Sequence, residues 1–266
     1  MTSDSVDGDS VDADSAGADS AGAAEGEPVT ANQDGNVATW AGVATASTDD
    51  GVPAWLAPLA GRAANMPVPA PLRPPAGRGR AAAVLILFGD GPDGPDLLLI
   101  ERSAGLRKHP GQPAFPGGSV DEADGGPVRA ALREAQEETG VDPAGVRVLA
   151  VMPELYIWRS DFRVTPVLGW WHAPVPVAPG DPAEIAAVLR VPVTDLVSPP
   201  NRLMIRYPDG RAQPAFRVAG LVVWGFTAMV LDRVLALAGW EQPWDRERLT
   251  DLPASDRPAG WPPLAS

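Results

Sequence analysis

The stretch from Phe115 to Val141 constrains the fold more than any other part of the sequence. It opens with the segment Phe115-Pro116-Gly117-Gly118, whose two glycines expose the backbone, and continues into residues with helical periodicity. Pro127 suits the first turn of a helix, and Gly140 is typical of the residue that ends one. Apolar residues recur three and four positions apart between them: Val128, Ala131, Leu132 and Ala135. The pattern predicts a helix over Pro127–Thr139, preceded by a glycine loop.

The predicted helix carries a cluster of acids opposite its apolar stripe. Glu134, Glu137 and Glu138 stand at positions i, i+3 and i+4, so their carboxylates share one face. They repel one another and lie near the C-terminal end of the helix, where its dipole disfavours negative charge. A cation is therefore expected, and Mg²⁺ or Mn²⁺ fits carboxylate oxygens. We predict that all three are metal ligands, with Arg133 pairing with a carboxylate and orienting it.

The rest of the chain predicts an α+β fold around this helix. Strands are expected at residues 81–88 and 96–103, paired as a hairpin, and at 146–152, 163–171 and 184–191. A helical turn is expected at 193–197, a hairpin over 202–218 that turns at 208–210, and a buried helix over 222–238. Residues 105–126 are expected to form a loop, and residues after 240 an irregular, proline-rich tail. Together these predicted strands and helices form a mixed sheet packed between helices.

Charge and composition limit the partners and the location. Eleven acidic residues and no lysine or arginine precede Arg62, and they account for most of the formal charge of −13. We expect residues 1–50 to be a disordered acidic tail and 51–77 a short helix with a proline-rich linker. No nucleic-acid or membrane partner is expected, and a cytoplasmic location is the prediction. The absence of cysteine excludes thiolate metal sites and disulfides. The oligomeric state stays open.

The glutamate motif resembles the box of the Nudix hydrolase family, G-x5-E-x7-R-E-U-x-E-E-x-G-U, where U is aliphatic. Residues 133–141 match its second half, with Ala135 at the first aliphatic position. The first half departs from the box, because Asp124 replaces the outer glutamate and eight residues separate it from Arg133. The resemblance implies a Nudix-type α/β/α sandwich with a mixed β-sheet and a catalytic loop-helix. It assigns this domain to residues 78–240 and leaves 241–266 as a tail.

In this departure from the box, an Asp at position 124 and the extra residue before Arg133, the sequence resembles the coenzyme A pyrophosphatase branch of that family. That branch has an upstream signature, L-L-T-x-R-[SA]-x3-R-x3-G-x3-F-P-G-G, which residues 98–118 fit except at Ile100. Residues 224–228, Trp-Gly-Phe-Thr-Ala, look like a later segment of the same branch. The resemblance implies metal-dependent hydrolysis of coenzyme A or its derivatives to 3′,5′-ADP and 4′-phosphopantetheine. Substrate-binding residues are expected at Arg102, Arg107, Gln112, Phe115, Gly117 and Gly118.

The catalytic roles and two other functions stay open. Glu137, Glu134 and Arg133 are the predicted catalytic residues, and either glutamate can act as the general base. A base on a distant loop is the alternative, with Glu154, Asp161 and Glu184 as candidates. The substrate can instead be another nucleoside diphosphate derivative, such as ADP-ribose, NADH or a nucleoside triphosphate. A Nudix-like domain that only binds a nucleotide is the remaining hypothesis.

Overall fold

A computed structural model describes residues 51–106, 109–207, 210–252 and 257. The predicted disorder of residues 1–50 and the predicted role of Arg107 lie outside the described residues, as do two residues of the predicted turn at 208–210. Among the described residues, no helix is long and apolar enough to cross a membrane.

Within the described residues, eight strands form one mixed sheet. They are β1 (Arg80–Gly91), β2 (Gly94–Arg102), β3 (Pro113–Ala114), β4 (Gly117–Ser119), β5 (Val146–Val151), β6 (Leu155–Ile157), β7 (Phe162–Trp171) and β8 (Ile185–Pro192). The central order is β3-β2-β1-β7-β5, while β4 pairs with β1, β6 with β7 and β8 with β2. The strands β1 and β2 form the predicted hairpin, and β1 runs parallel to β7. The predicted mixed sheet is confirmed.

Helices cover both faces of this sheet. The helices are α1 (Ala57–Ala63), α2 (Pro127–Thr139), α3 (Val193–Val197) and α4 (Gly225–Ala238). Because side chains alternate along a strand, β1 contributes to two cores. Ala83, Leu85 and Leu87 pack in the cluster that includes Ala130, Ala131 and Ala135 of α2. The alternate residues of β1 pack in the larger cluster that contains α1 and α4: Ala82, Val84, Ile86 and Phe88. The predicted α/β/α sandwich is confirmed.

The helix α2 has the predicted bounds, and its ends have the predicted chemistry. Pro127 is its first residue, and Gly140 takes a left-handed conformation with φ of 75°. The Gly140 N–H donates to the carbonyl oxygen of Gln136, which closes the last turn. The helical turn at Val193–Val197 also has the predicted bounds.

Three expectations for local structure are wrong. The predicted loop at 105–126 contains β3 and β4, because its backbone pairs with β2 and β1. The final helix begins at Gly225 rather than at 222, since Trp224 is extended and Leu221–Val223 forms a strand, β11. The C-terminal tail is not wholly irregular, because Leu249–Asp251 forms β12.

A second, smaller sheet holds the C-terminal part of the chain. It comprises β9 (Arg202–Arg206) and β10 (Ala212–Val218), which form the predicted hairpin, together with β11 and β12 in the order β11-β10-β9-β12. Its own apolar cluster includes Leu203, Ile205, Trp224 and Leu252. At the other end of the described chain, the proposed linker is also packed, because Leu56, Leu59 and Leu72 are buried in the main core. Both flanks of the predicted domain therefore add to its packing.

Candidate active site

Two glycines bring the backbone of β4 against both β1 and α2. Gly117 lies opposite Val84 and Gly118 opposite Ala83 in the β1–β4 ladder. A Cβ atom on Gly117 would overlap the carbonyl oxygen of Ala83, and one on Gly118 would overlap the carboxylate of Glu134. Gly117 therefore lets β4 lie close to β1, and Gly118 lets it lie close to the acidic face of the helix.

Glu138 lies beneath this glycine loop. It is 8% exposed, and its Oε2 accepts a hydrogen bond of 2.9 Å from the backbone N–H of Gly117. Burial raises the pKa of the Glu138 carboxyl from 4.5 to about 8. The Gly117 N–H and the charge of Arg102 oppose that rise, whereas the charges of Glu134 and Glu184 add to it. The site therefore contains a desolvated carboxylate with another carboxylate nearby, an arrangement that a cation would stabilise.

Arg133 organises the carboxylates around the helix. Its Nε and Nη2 donate to the two oxygens of Asp124 at 2.9 and 3.0 Å, and its Nη1 donates to Glu134 at 2.8 Å and Glu137 at 3.1 Å. Nη2 also donates to the carbonyl oxygen of Ser119 at 3.1 Å. The hydrogen bonds between Arg133 and Asp124 lower the pKa of the Asp124 carboxyl. They are also the main reason why the pKa of Arg133 is raised. The expectation that Arg133 pairs with a carboxylate is confirmed, and Asp124 is its principal partner.

The three helix glutamates are not equivalent. Glu134 is partly buried, and burial raises its pKa against the opposing charge of Arg133. Glu137 is the outlier, because its side chain is 58% exposed and is held by Arg133. Across the described ranges, no three acidic or histidine side chains converge closely enough to hold a metal ion by themselves. The predicted set of three ligands is thus not assembled in this conformation, since Glu137 turns toward Arg133.

The carboxylates of Glu134 and Glu138 nevertheless fit a hard divalent cation. Glu134 touches Gly118 and Glu138 touches Gly117, so the two carboxylates lie side by side against the same loop. Carboxylate oxygens are the donors that Mg²⁺ and Mn²⁺ prefer. Mg²⁺ in particular is usually held by one or two carboxylates together with waters and substrate phosphates rather than by a complete protein cage.

A small recess adjoins this loop. It is lined by Arg102, Phe115 and Gly117 from the N-terminal part of the sequence, and by Phe226 and Thr227 from the start of α4. Val84, Ile100 and Ala114 complete its described lining. The structure thus brings three of the predicted substrate-binding residues together. It adds Phe226 and Thr227, which the sequence analysis had noted only within the segment 224–228 that resembles the coenzyme A pyrophosphatase branch.

Gln112 is placed differently from the other predicted binding residues. It is buried, and its Oε1 lies 2.7 Å from Nδ1 of His109. Its carbonyl oxygen accepts a hydrogen bond from the N–H of Arg102 at 3.1 Å. These contacts tie the loop to the end of β2, and Gln112 does not line the recess described above.

Sequence reasoning named Glu184 as a candidate base, but it did not predict that the preceding loop, residues 178–183, contacts the catalytic helix. The N–H of Gly180 donates to the carbonyl oxygen of Glu138 at 3.0 Å, and that of Ala178 donates to Thr139 at 3.1 Å. A Cβ atom on Gly180 would overlap the carbonyl oxygen of Glu137. The loop therefore binds the last turn of α2. Its glycine was the only local signal, and a glycine among prolines does not reveal a distant partner.

Comparison with known proteins agrees with the glutamate motif. The NUDIX domain profile matches residues 77–209, which is half of the chain. An uncharacterized Nudix hydrolase named NudL from Cronobacter sakazakii is 40% identical over 171 residues, which cover 62% of this chain and 85% of that protein. A NudL from Pectobacterium atrosepticum is 40% identical over 162 residues, covering 58% of this chain and 81% of that protein.

Among solved structures, a Nudix hydrolase from M. smegmatis named RenU aligns with 65% of this chain and all of its own. Its sequence identity is 21% and its TM-score is 0.44.

Proposed function

The chain belongs to the Nudix hydrolase family, and from that premise we propose that it cleaves the diphosphate of coenzyme A or its derivatives. The products would be 3′,5′-ADP and 4′-phosphopantetheine, and the reaction would need Mg²⁺ or Mn²⁺. The substrate would be a small molecule that carries a nucleotide, a class of partner that agrees with the formal net charge of −13.

The observation that carries the substrate proposal is the recess beside Gly117. Residues 98–118 and 224–228 are the two segments that resemble the coenzyme A pyrophosphatase branch. They are more than a hundred positions apart, yet Arg102 and Phe115 from the first line one recess with Phe226 and Thr227 from the second. Two segments that share a ligand are expected to meet at one place, and this convergence supports a common substrate.

The chain's own residues would divide the work of the reaction. Glu134 and Glu138 would hold the cation, which when bound neutralises the diphosphate and lowers the pKa of a coordinated water. Arg133 would act as a positioning residue, because its N–H groups bind Asp124, Glu134, Glu137 and Ser119. Gly117 and Gly118 would admit the phosphates close to the backbone.

Arg102 would bind a phosphate of the substrate. Arg102 lines the recess, and its charge acts on the buried carboxyl of Glu138. A guanidinium in this position gives charge-assisted hydrogen bonds to an anion that approaches the cation site. Phe115 would supply an apolar wall next to it.

A substrate panel with identification of the products tests this function. Purified protein is incubated with Mg²⁺ or Mn²⁺ and coenzyme A, ADP-ribose, NADH or a nucleoside triphosphate, and products are separated by anion exchange. We expect 3′,5′-ADP from coenzyme A and no product with Glu138→Gln. Cleavage of another diphosphate with coenzyme A intact would overturn the substrate and leave the reaction class. Binding without cleavage of any compound would favour a purely ligand-binding domain.

A further inference from the structure

The first turn of α4 is buried and carries backbone donors that the chain leaves without an acceptor. An α-helix cannot supply partners for its first N–H groups, so they need a cap, water or a ligand. Trp224, which precedes the helix, provides no side-chain cap. The N–H groups of Gly225, Phe226 and Thr227 have no acceptor elsewhere among the described residues, and all three residues are buried. A buried helix start of this kind indicates an acceptor that comes from outside the chain.

Thr227 gives a second, independent sign of a ligand. It lines the recess and is 1% exposed, and its hydroxyl has no hydrogen-bond partner in the described ranges. The hydroxyl of Thr139, which is also buried, does have a partner, because it donates to the carbonyl oxygen of Ala135 at 2.5 Å. A buried hydroxyl without a partner is unfavourable. The partner of the Thr227 hydroxyl is therefore expected in the recess.

The recess lies where two strands of the main sheet separate. The strands β1 and β2 pair with each other near their hairpin turn. Farther along, Val84 of β1 pairs with Gly117 of β4, and Ile100 of β2 pairs with Ala114 of β3. All four of these residues line the recess, and so does the first turn of α4. The positive end of that helix dipole therefore lies at the recess.

The charge of the recess also favours an anion. Arg102 is the one charged residue in its described lining. Gly117 connects the recess with the cation site, because it lines the recess and its N–H donates to Glu138. An anion bound in the recess would thus lie beside the cation site and separate from it.

A terminal phosphate monoester matches these donors better than a phosphate within the diphosphate. The monoester has three acceptor oxygens and a charge of about −1.5 to −2 at neutral pH, whereas each phosphate of the diphosphate has fewer free oxygens and less charge. We propose that the first turn of α4, with Thr227 and Arg102, binds the 3′-phosphate of coenzyme A, an inference that rests on the proposed function. The backbone N–H groups and the Thr227 hydroxyl donate to its oxygens, and Arg102 neutralises its charge. The diphosphate is then left to the cation at Glu134 and Glu138.

The kinetic test compares coenzyme A with 3′-dephospho-coenzyme A, which lacks only that phosphate. For the wild type we expect kcat/KM to be at least about tenfold higher with coenzyme A, since a hydrogen bond to a charged group contributes about this factor. Thr227→Val removes the hydroxyl and keeps the shape. It should lower kcat/KM for coenzyme A by about tenfold and leave that for 3′-dephospho-coenzyme A within about threefold. Thr227→Ser keeps the hydroxyl and should stay within about threefold of the wild type with both compounds.

A binding measurement tests the subsite without hydrolysis. Isothermal titration calorimetry of the full-length protein with Mg²⁺ compares 3′,5′-ADP with 5′-AMP, which differ only in the 3′-phosphate. The wild type should bind 3′,5′-ADP at least about tenfold more tightly. Thr227→Val should lose most of this difference, and Thr227→Ser should keep it.

Two outcomes would overturn the subsite. One is a wild type that binds 3′,5′-ADP and 5′-AMP within about threefold of each other, a result that needs no variant. The other is an equal loss of kcat/KM with both coenzyme A compounds in Thr227→Val, which would make the role of Thr227 structural. If ADP-ribose is cleaved and coenzyme A is not, the proposed substrate fails, and the calorimetry still decides whether the recess binds a 3′-phosphate.

Discussion

Replacing Glu138 with glutamine is expected to stabilise the metal-free protein at alkaline pH while abolishing hydrolysis. The folded carboxyl keeps its proton up to about pH 8, whereas the ordinary value is 4.5. Between these values the folded state binds more protons than the unfolded state, so the stability of the metal-free wild type falls as pH rises. At about 1.4 kcal/mol for each pKa unit, the difference amounts to about 5 kcal/mol. Glutamine does not titrate and is free of this loss.

The measurement is urea unfolding of the wild type and Glu138→Gln in the presence of a chelator, at about pH 4 and about pH 9. The chain has nine tryptophans, so their fluorescence follows the transition. The difference in free energy of unfolding should move in favour of the variant by as much as about 5 kcal/mol over this interval. Other titrating groups are common to both proteins and cancel in the difference.

Adding Mg²⁺ or Mn²⁺ at about pH 8 should reverse the ranking. A cation that binds the folded wild type stabilises it by RT ln(1 + [L]/Kd), about 2.7 kcal/mol at a hundredfold excess over Kd. The variant has lost a ligand and should gain less. If the two proteins respond in parallel to both pH and metal, Glu138 is neither desolvated nor a ligand, and the reasoning is refuted.

The remaining predictions concern the groups that hold the acidic face in place. Arg133→Lys should lower kcat by about 10- to 100-fold, because lysine cannot form the two-pronged contact with Asp124; steady-state kinetics with kcat within about twofold of wild type would contradict this. Gly180→Ala should cost about 1–3 kcal/mol in urea unfolding, since its Cβ would overlap the carbonyl oxygen of Glu137. Gly61→Ala, at an exposed position of α1 with open space around it, should instead stabilise by about 0.5–1 kcal/mol. Equal effects of the two alanine substitutions would contradict this argument.

The helix α2 was predictable because its signals are local. Pro127, the apolar stripe and Gly140 act within a few residues of one another, and the structure has the predicted bounds. The mixed sheet was predictable for a related reason. Continuous apolar strands such as β1 are buried on both faces, and β1 packs against helices on each side.

The errors lie where pairing is non-local. The strand β4 consists of Gly117–Ser119, which has weak strand propensity, and it exists because β1 offers it a ladder. Likewise β12 pairs with β9, more than forty residues away. Residues 221–223 continue the apolar pattern of α4, but they form the strand β11 because they pair with β10. In each case the deciding partner is absent from the local sequence.

The sequence by itself determined the acidic helix, the glycine loop before it and the family to which the chain belongs, because all of these depend on spacing along the chain. A helical period of 3.6 residues brings Glu134, Glu137 and Glu138 to one face regardless of context. Only the tertiary structure decided that Glu138 is buried while Glu137 is exposed and held by Arg133. Desolvation and charge depend on what packs against a side chain, and those neighbours come from distant parts of the chain.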